Sequence, residues 1–279
     1  MFLFVIKQVY AVIKWLVYAN LLVALLGFWL TYSFASYFEL EQAIHYGITA
    51  FGATLFSYNF QRLQRLSLFA QSTTERHLWL SQNKRTLLVL TVAGAFIASG
   101  SYFFYVFNWR SFPVLCCFAL VSLFYAYTPA IKGFIPFRNI PFLKIHLIAL
   151  TWVAVVYLWP AFDTVQLDVH HVTISLGIYL YLIAVTIPFD IRDLPYDSKT
   201  QQTIPQRLGV TKARLLGLIL LVIALVIFGV MSSKGFVNGF LWLLVVGHAI
   251  SLRYASHKRS ELFFVLGIDG WLFWLGFVL

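Results

Sequence analysis

Apolar residues run through this chain in long stretches, and polar positions gather in the short intervals between them. Stretches of about 17 to 25 apolar residues suit helices that cross a bilayer. The pattern predicts about nine, near residues 10–35, 43–61, 86–107, 112–130, 143–161, 171–191, 212–232, 235–252 and 261–279. The first is too long for the apolar core of a cleaved signal peptide, despite the small residues at Ser33–Ala35, and is read as a span. Nothing resembles a soluble domain, a low-complexity tail or a short-period repeat. The expectation is an all-α, polytopic membrane protein with one transmembrane helical domain over 1–279.

Composition strengthens that reading. The chain is 61% hydrophobic and 11% charged, with a mean hydropathy of +0.83, whereas soluble domains carry roughly 25% charged residues. The net charge of +10 raises the question of a nucleic-acid partner, and its distribution answers it. With nine spans, the N-terminus and the loops near 62–85, 131–144, 192–214 and 253–260 share one side and hold every Lys and Arg except Arg110 and Lys234. The opposite loops hold Glu39, Glu41, Asp163 and Asp168. The positive-inside rule then puts the N-terminus and the long loops in the cytoplasm of a cell (inner) membrane protein. Anionic membrane lipids and an anionic substrate are the partners this charge suits, and nucleic acid is not. The adjacent Cys116 and Cys117 lie in an apolar helix and point to different faces, which disfavours a metal pair and suits inert thiols.

At the end of the sixth run, "FDIRDLPYD" places three carboxylates at Asp190, Asp193 and Asp197. In a continuing helix these stand at i, i+3 and i+7 and stack on one face, with Arg192 on another side. Pro188 and Pro195 predict a loosened helix there. Three carboxylates so close resist joint ionisation, and a hard dication such as Mg2+ relieves the conflict by binding one or two of them with phosphate oxygens. A solvated helix end paired with Lys199, Arg207 and Lys212 explains the cluster equally well.

The stretch "IPFDIRDLPYDSKTQQTIPQRLGVTKAR" resembles the second aspartate-rich motif of the UbiA superfamily of intramembrane prenyltransferases. Asp193 and Asp197 match its D-x-x-x-D, Thr203 and Pro205 the following threonine-proline segment, and Gly209 and Ala213 the opening of the next helix. "YAYTPAIKGF", Tyr125 to Phe134, resembles the segment that closes the family's fourth helix. The resemblance implies a helical bundle open laterally to lipid. It also implies Mg2+ held by aspartates, and transfer of a prenyl group from a polyprenyl diphosphate to a lipophilic acceptor, aromatic rings among them. On it, Asp193 and Asp197 are the expected catalytic residues, and Asp190, Asp193 and Asp197 the expected metal ligands.

The family's first motif, N-x-x-x-D-x-x-x-D, is matched only by Asn59 in "YNFQRLQRLS", where Leu63 and Ser67 stand at the aspartate positions. The segment "ERHLWLSQ" that follows is equally blurred. Either Arg62 and Arg65 approach the diphosphate directly, since arginine forks match phosphate oxygens, or they are topology residues of a protein that keeps the bundle and binds isoprenoid without turnover. Asn59, Arg62, Lys132, Lys144, Arg192 and Lys199 complete the expected diphosphate pocket. Asp269 lies inside the last run, where an ionisable residue is a functional candidate, and a polar pairing with a histidine or tyrosine is the alternative. His146 is a weaker cavity candidate, and His170 and His171 near Asp163 and Asp168 form a weak metal-like group. A transporter ranks last, because no inverted repeat is visible and the acidic cluster sits at a helix end.

Overall fold

The computed structural model describes residues 2–66, 75–126, 135–164 and 167–279, and every regular element among them is helical. The first apolar run is two helices, α1 (Phe2–Tyr18) and α2 (Leu21–Tyr37), bent by 67°. The bend falls at Asn20, whose φ of 60° and ψ of 20° are left-handed, a conformation asparagine tolerates better than most residues. Next come α3 (Ala43–Gln64), α4 (Glu75–Gln82), α5 (Lys84–Ser101, continued by a π-helical turn to Val106) and α6 (Phe112–Ala126). A second π-helical turn joins α7 (Leu143–Val153) to α8 (Trp159–Thr164). Then follow α9 (Val169–Asp193), α10 (Ile204–Met231), α11 (Gly239–Tyr254) and a last segment of short turns, α12 (Glu261–Phe264) and α13 (Gly270–Leu272), ending at Phe277.

Among the described residues, Lys84–Val106, Leu143–Thr164, Val169–Asp193 and Ile204–Met231 are each long and apolar enough to cross a membrane, and the bent α1–α2 pair makes a fifth such unit. Phe112–Tyr125 and Gly239–Tyr254 are shorter apolar helices. The protein is a helical integral membrane protein.

Helix α9 is the axis of the core. Its Ile174, Ile178, Tyr181, Ile187 and Ile191 are buried in one cluster with residues of α2, α7, α10, α11 and the last segment. Packing on every side also explains why Pro188 does not open the helix as the sequence predicts: one missing backbone hydrogen bond is outweighed, and the helix runs on to Asp193. By contrast, α5 and α10 turn large apolar side chains outward, Phe96 and Phe104 at 73% and 83% exposure and Val222 and Val230 beside them in kind. At roughly 25 cal/mol per Å² such faces are costly in water, and they suit lipid.

Two helices meet without side chains between them. A Cβ on Gly52 of α3 would lie 2.5 Å from the Ala98 amide nitrogen of α5, and one on Gly94 would lie 2.7 Å from that of Phe56. Small residues permit this backbone approach, the usual means of joining helices in lipid.

Candidate functional site

At one end of the bundle, five segments converge: α1, the end of α3 with α4, the loop after residue 135, the end of α9, and the loop before α12. These are the segments whose charges placed them together on one side in the sequence. They enclose a cavity of about 260 Å³. Among the described residues its wall carries seven Lys and Arg side chains (Lys14, Arg62, Arg65, Arg76, Arg138, Arg192, Arg259) against four carboxylates (Glu75, Asp193, Asp197, Glu261), a surplus of three positive charges. Tyr10, Tyr18 and Tyr196 supply aromatic wall.

The carboxylates are answered from within the protein. Arg192 forks onto Asp193, Nε to Oδ1 at 2.7 Å and Nη2 to Oδ2 at 3.2 Å. Its Nη1 donates to Glu261 at 3.0 Å, and its plane stacks on Phe189 and Phe264 at 5.1 and 5.0 Å. The sequence reading set Arg192 apart from the aspartates, and the chain instead turns it back onto the nearest one. Arg76 donates to the same Glu261 oxygen at 2.9 Å. Lys144 lies between two carboxylates, 2.6 Å from Asp197 Oδ2 and 2.8 Å from Asp190 Oδ1. The Asp190 contact is an ion pair without hydrogen-bond alignment, since neither Asp190 oxygen has a hydrogen bond. Arg138 reaches Asp197 Oδ1 at 3.2 Å, and Lys14 pairs with Glu75.

Local folding explains these positions. Asp190 and Asp193 ride on α9, and the turn beyond holds Asp197 by its amide donating to the Asp193 carbonyl at 2.8 Å. Gln206 of α10 accepts from the Thr203 amide at 2.9 Å and donates to the Asp197 and Ser198 carbonyls, clamping the turn to the next helix. Gln201 ties to Asn139 at 2.9 Å, and the Phe142 amide to the Gln201 carbonyl at 3.1 Å, which brings Arg138 beside Asp197.

Of the residues expected in the site, Asp193, Asp197, Arg62 and Arg192 line the cavity, and so does Arg65. Asn59 does not: it is fully buried, donates to the Leu55 and Ala19 carbonyls and accepts from Asn20 at 2.8 Å, tying α3 to the α1–α2 corner. Asp190 and Lys144 line a separate pocket of about 30 Å³ beside His146, whose Nδ1 lies 2.5 Å from the Tyr179 hydroxyl. Lys199 is exposed on a short turn. Lys132 lies outside the described residues, as do Ser67 and most of Tyr125–Phe134. Asp168 caps α9 through the His171 amide and ring, and Asp163 accepts from Tyr46, so the weak metal-like group there is a helix cap. Sequence reasoning missed Lys14, Arg76, Arg138 and Glu261. The one signal for Glu261 was its place just after Ser260, at the start of the last apolar run.

Among the described residues, no three His, Cys, Asp or Glu side chains converge on one point. The ligand set Asp190, Asp193 and Asp197 is therefore not assembled as a magnesium cage: Asp190 faces another pocket, and cations occupy the other two. Outside the spans, burial first, then the Arg76 and Arg62 guanidiniums, push His77 of α4 down to about 4.

No family model and no curated protein matches the sequence. Among solved structures, a UbiA homologue from Archaeoglobus fulgidus bound to GPP and Mg2+ aligns with a TM-score of 0.61 at 15% identity, covering 94% of this chain and 98% of that one. A digeranylgeranylglyceryl phosphate synthase aligns with a TM-score of 0.53 at 13% identity, covering 96% of this chain and 97% of its own. Identities this low speak for the fold alone, and that fold is a UbiA-like helical bundle.

Proposed function

We propose that this chain, a membrane protein with a UbiA-like fold, binds the diphosphate of a polyprenyl diphosphate in its cationic cavity and transfers the prenyl group to a lipophilic acceptor. The observation that carries the reading is the surplus of three positive charges on the cavity wall, set at the end of a bundle whose outer faces are apolar. The fold it shares with a UbiA homologue bound to GPP and Mg2+ supports it. In the reaction the allylic C–O bond breaks, its electron pair leaves on the diphosphate, and the acceptor bonds the prenyl carbon and releases a proton. Preorganised guanidiniums stabilise the leaving group as its charge grows. Asp193 and Asp197 position those cations. The aspartates as placed do not fit a magnesium cluster, because each is already met by a cation of the protein. The positive-inside bias supports a cavity on the cytoplasmic face of a cell (inner) membrane.

A second reading, an isoprenoid-binding protein without turnover, is favoured by two observations: Leu63 stands where the first motif needs a carboxylate, and each aspartate of the second is neutralised internally. Membranes containing the protein, given geranyl diphosphate and longer polyprenyl diphosphates with lipophilic acceptors, separate the two. Pyrophosphate release with a prenylated product supports transfer. Retention of the prenyl lipid without pyrophosphate release assigns the binder and defeats the transferase.

A further inference from the structure

Metal-bridged diphosphate binding requires carboxylates able to take the metal, and the cavity wall offers none among the described residues that lacks a cation. Asp193 is forked by Arg192, Asp197 is held by Lys144 and Arg138, Glu261 by Arg76 and Arg192, and Glu75 by Lys14. Arg62 is the converse case. It lines the cavity, is partly buried, and its guanidinium makes no hydrogen bond or ion pair among the described residues. The strongest charged influences on it are the guanidiniums of Arg76, Arg65 and Arg192, with Glu261 and Asp193 as opposing carboxylates. Converging like charges at a partly desolvated site repel more strongly than in water, and a polyanion is the ligand chemistry that reverses the sign of that interaction.

Geometry narrows the chemistry further. Arginine presents a planar fork that takes two phosphate oxygens at once and keeps its charge. Two adjacent phosphoryl groups suit several such forks better than a single carboxylate would. On the helix, Arg62 occupies the last turn of α3, and Arg65 follows at its cap. The cations thus stand one turn beyond Asn59, in the same segment whose aspartate positions hold Leu63 and Ser67.

We infer that Arg62, with Arg65, Arg76 and Arg192, grips the diphosphate directly, with no metal bridge between it and the aspartates, so that binding persists without divalent cations. This rests on the prenyl-diphosphate reading and deepens it. The aspartates then act as positioning residues: each holds a guanidinium or ammonium in place at the wall.

Isothermal titration calorimetry on the purified full-length protein, with inorganic pyrophosphate and with geranyl diphosphate, tests it in EDTA and in Mg2+. The expected result is binding of both probes in EDTA, within about threefold of the affinity in Mg2+. Arg62→Gln weakens binding about tenfold or more, equivalent to about 1.4 kcal/mol, and Arg62→Lys, which keeps the charge and loses the fork, weakens it less. The comparison of buffers needs no variant, so it stands even where Arg62→Gln does not fold. Binding that appears only with Mg2+ and disappears in the Asp193→Asn, Asp197→Asn double variant overturns the inference and leaves the diphosphate reading standing. No binding in either buffer overturns both.

Discussion

Arg192 stands between two aspartates in the sequence, yet its side chain joins parts of the fold that sequence spacing does not connect, reaching Asp193 beside it and Glu261 across 69 positions. Removing it leaves two partly buried carboxylates short of a partner, and breaking such pairs costs about 3–5 kcal/mol when burial is complete. With side-chain exposures of 15%, 26% and 22%, Arg192→Ala is expected to destabilise by about 2 kcal/mol, read as a lower melting temperature in detergent. Arg192→Lys recovers only part, because a point charge cannot fork. Lys144 supplies a sharper test. Lys144→Met leaves Asp190 and Asp197 facing each other in a nearly dry setting, so Lys144→Met with Asp190→Asn is expected to melt higher than Lys144→Met alone. Additive losses in that cycle would dismiss the bridge. His77 carries the pH dependence: its folded pKa of about 4 lies below its ordinary 6.5, so the unfolded chain binds more protons and stability is lost as pH falls through that interval. His77→Gln is expected to flatten the melting temperature between pH 6.5 and 4. At this scale helical spacing in the sequence grouped Asp193 with Asp197, because such spacing is local, and the family resemblance set Arg62 beside them; all three line one cavity. Arg76, Arg138 and Glu261 escaped it, because lone charges in loops do not name their long-range partners.

Between residue and bundle, the elements show where local signals prevailed and where packing overrode them. Between Asp193 and Ala213 the next helix opens at Ile204, earlier than the Gly209–Ala213 start the resemblance implied: Gln206 closes the helix start at Thr203, Pro205 sits in the first turn, and Gly209, with a φ of 76°, kinks the helix. That kink separates the turn clamping Asp197 from the lipid-facing length of α10. A Cβ at Gly209 meets nothing within 4 Å, so Gly209→Ala carries only conformational strain, about 1–2 kcal/mol, and is expected to loosen the Asp197 turn without unfolding the bundle. Gly52→Val is the contrast, because its Cβ collides with backbone of α5. It is expected to prevent close packing of α3 on α5 and to cost about 3 kcal/mol or more, seen as loss of a monodisperse folded species. The two breaks that apolar patterning did not locate are the left-handed Asn20 bend and the turns of the last segment. Hydrophobic runs report burial in lipid or core, and a single residue with positive φ leaves no trace in them.

On the scale of the whole molecule, charge carried more information than hydropathy. Segments far apart in sequence were grouped on one side by their Lys and Arg content, and the structure gathers those same segments around one cavity. Apolar patterning alone separates helices from loops and says nothing of which loops meet. On the proposed reading the basic loops serve two physical ends, holding their side of the membrane and building a polyanion site from the same side chains. Sidedness is the remaining consequence. Arg110 and Lys234 are the two basic residues predicted for the opposite end, where α5 and α10 finish. With Cys116 and Cys117 replaced by serine, single cysteines at Ser198 and Lys258 report the cavity end, and at Arg110 and Ser233 the far end, all four being exposed positions. A membrane-impermeant maleimide applied to intact cells is expected to label the far-end pair at once and the cavity-end pair only after the membrane is opened. The reverse pattern would put the cavity outside, where the positive-inside argument fails and a cytoplasmic supply of prenyl diphosphate would not reach it.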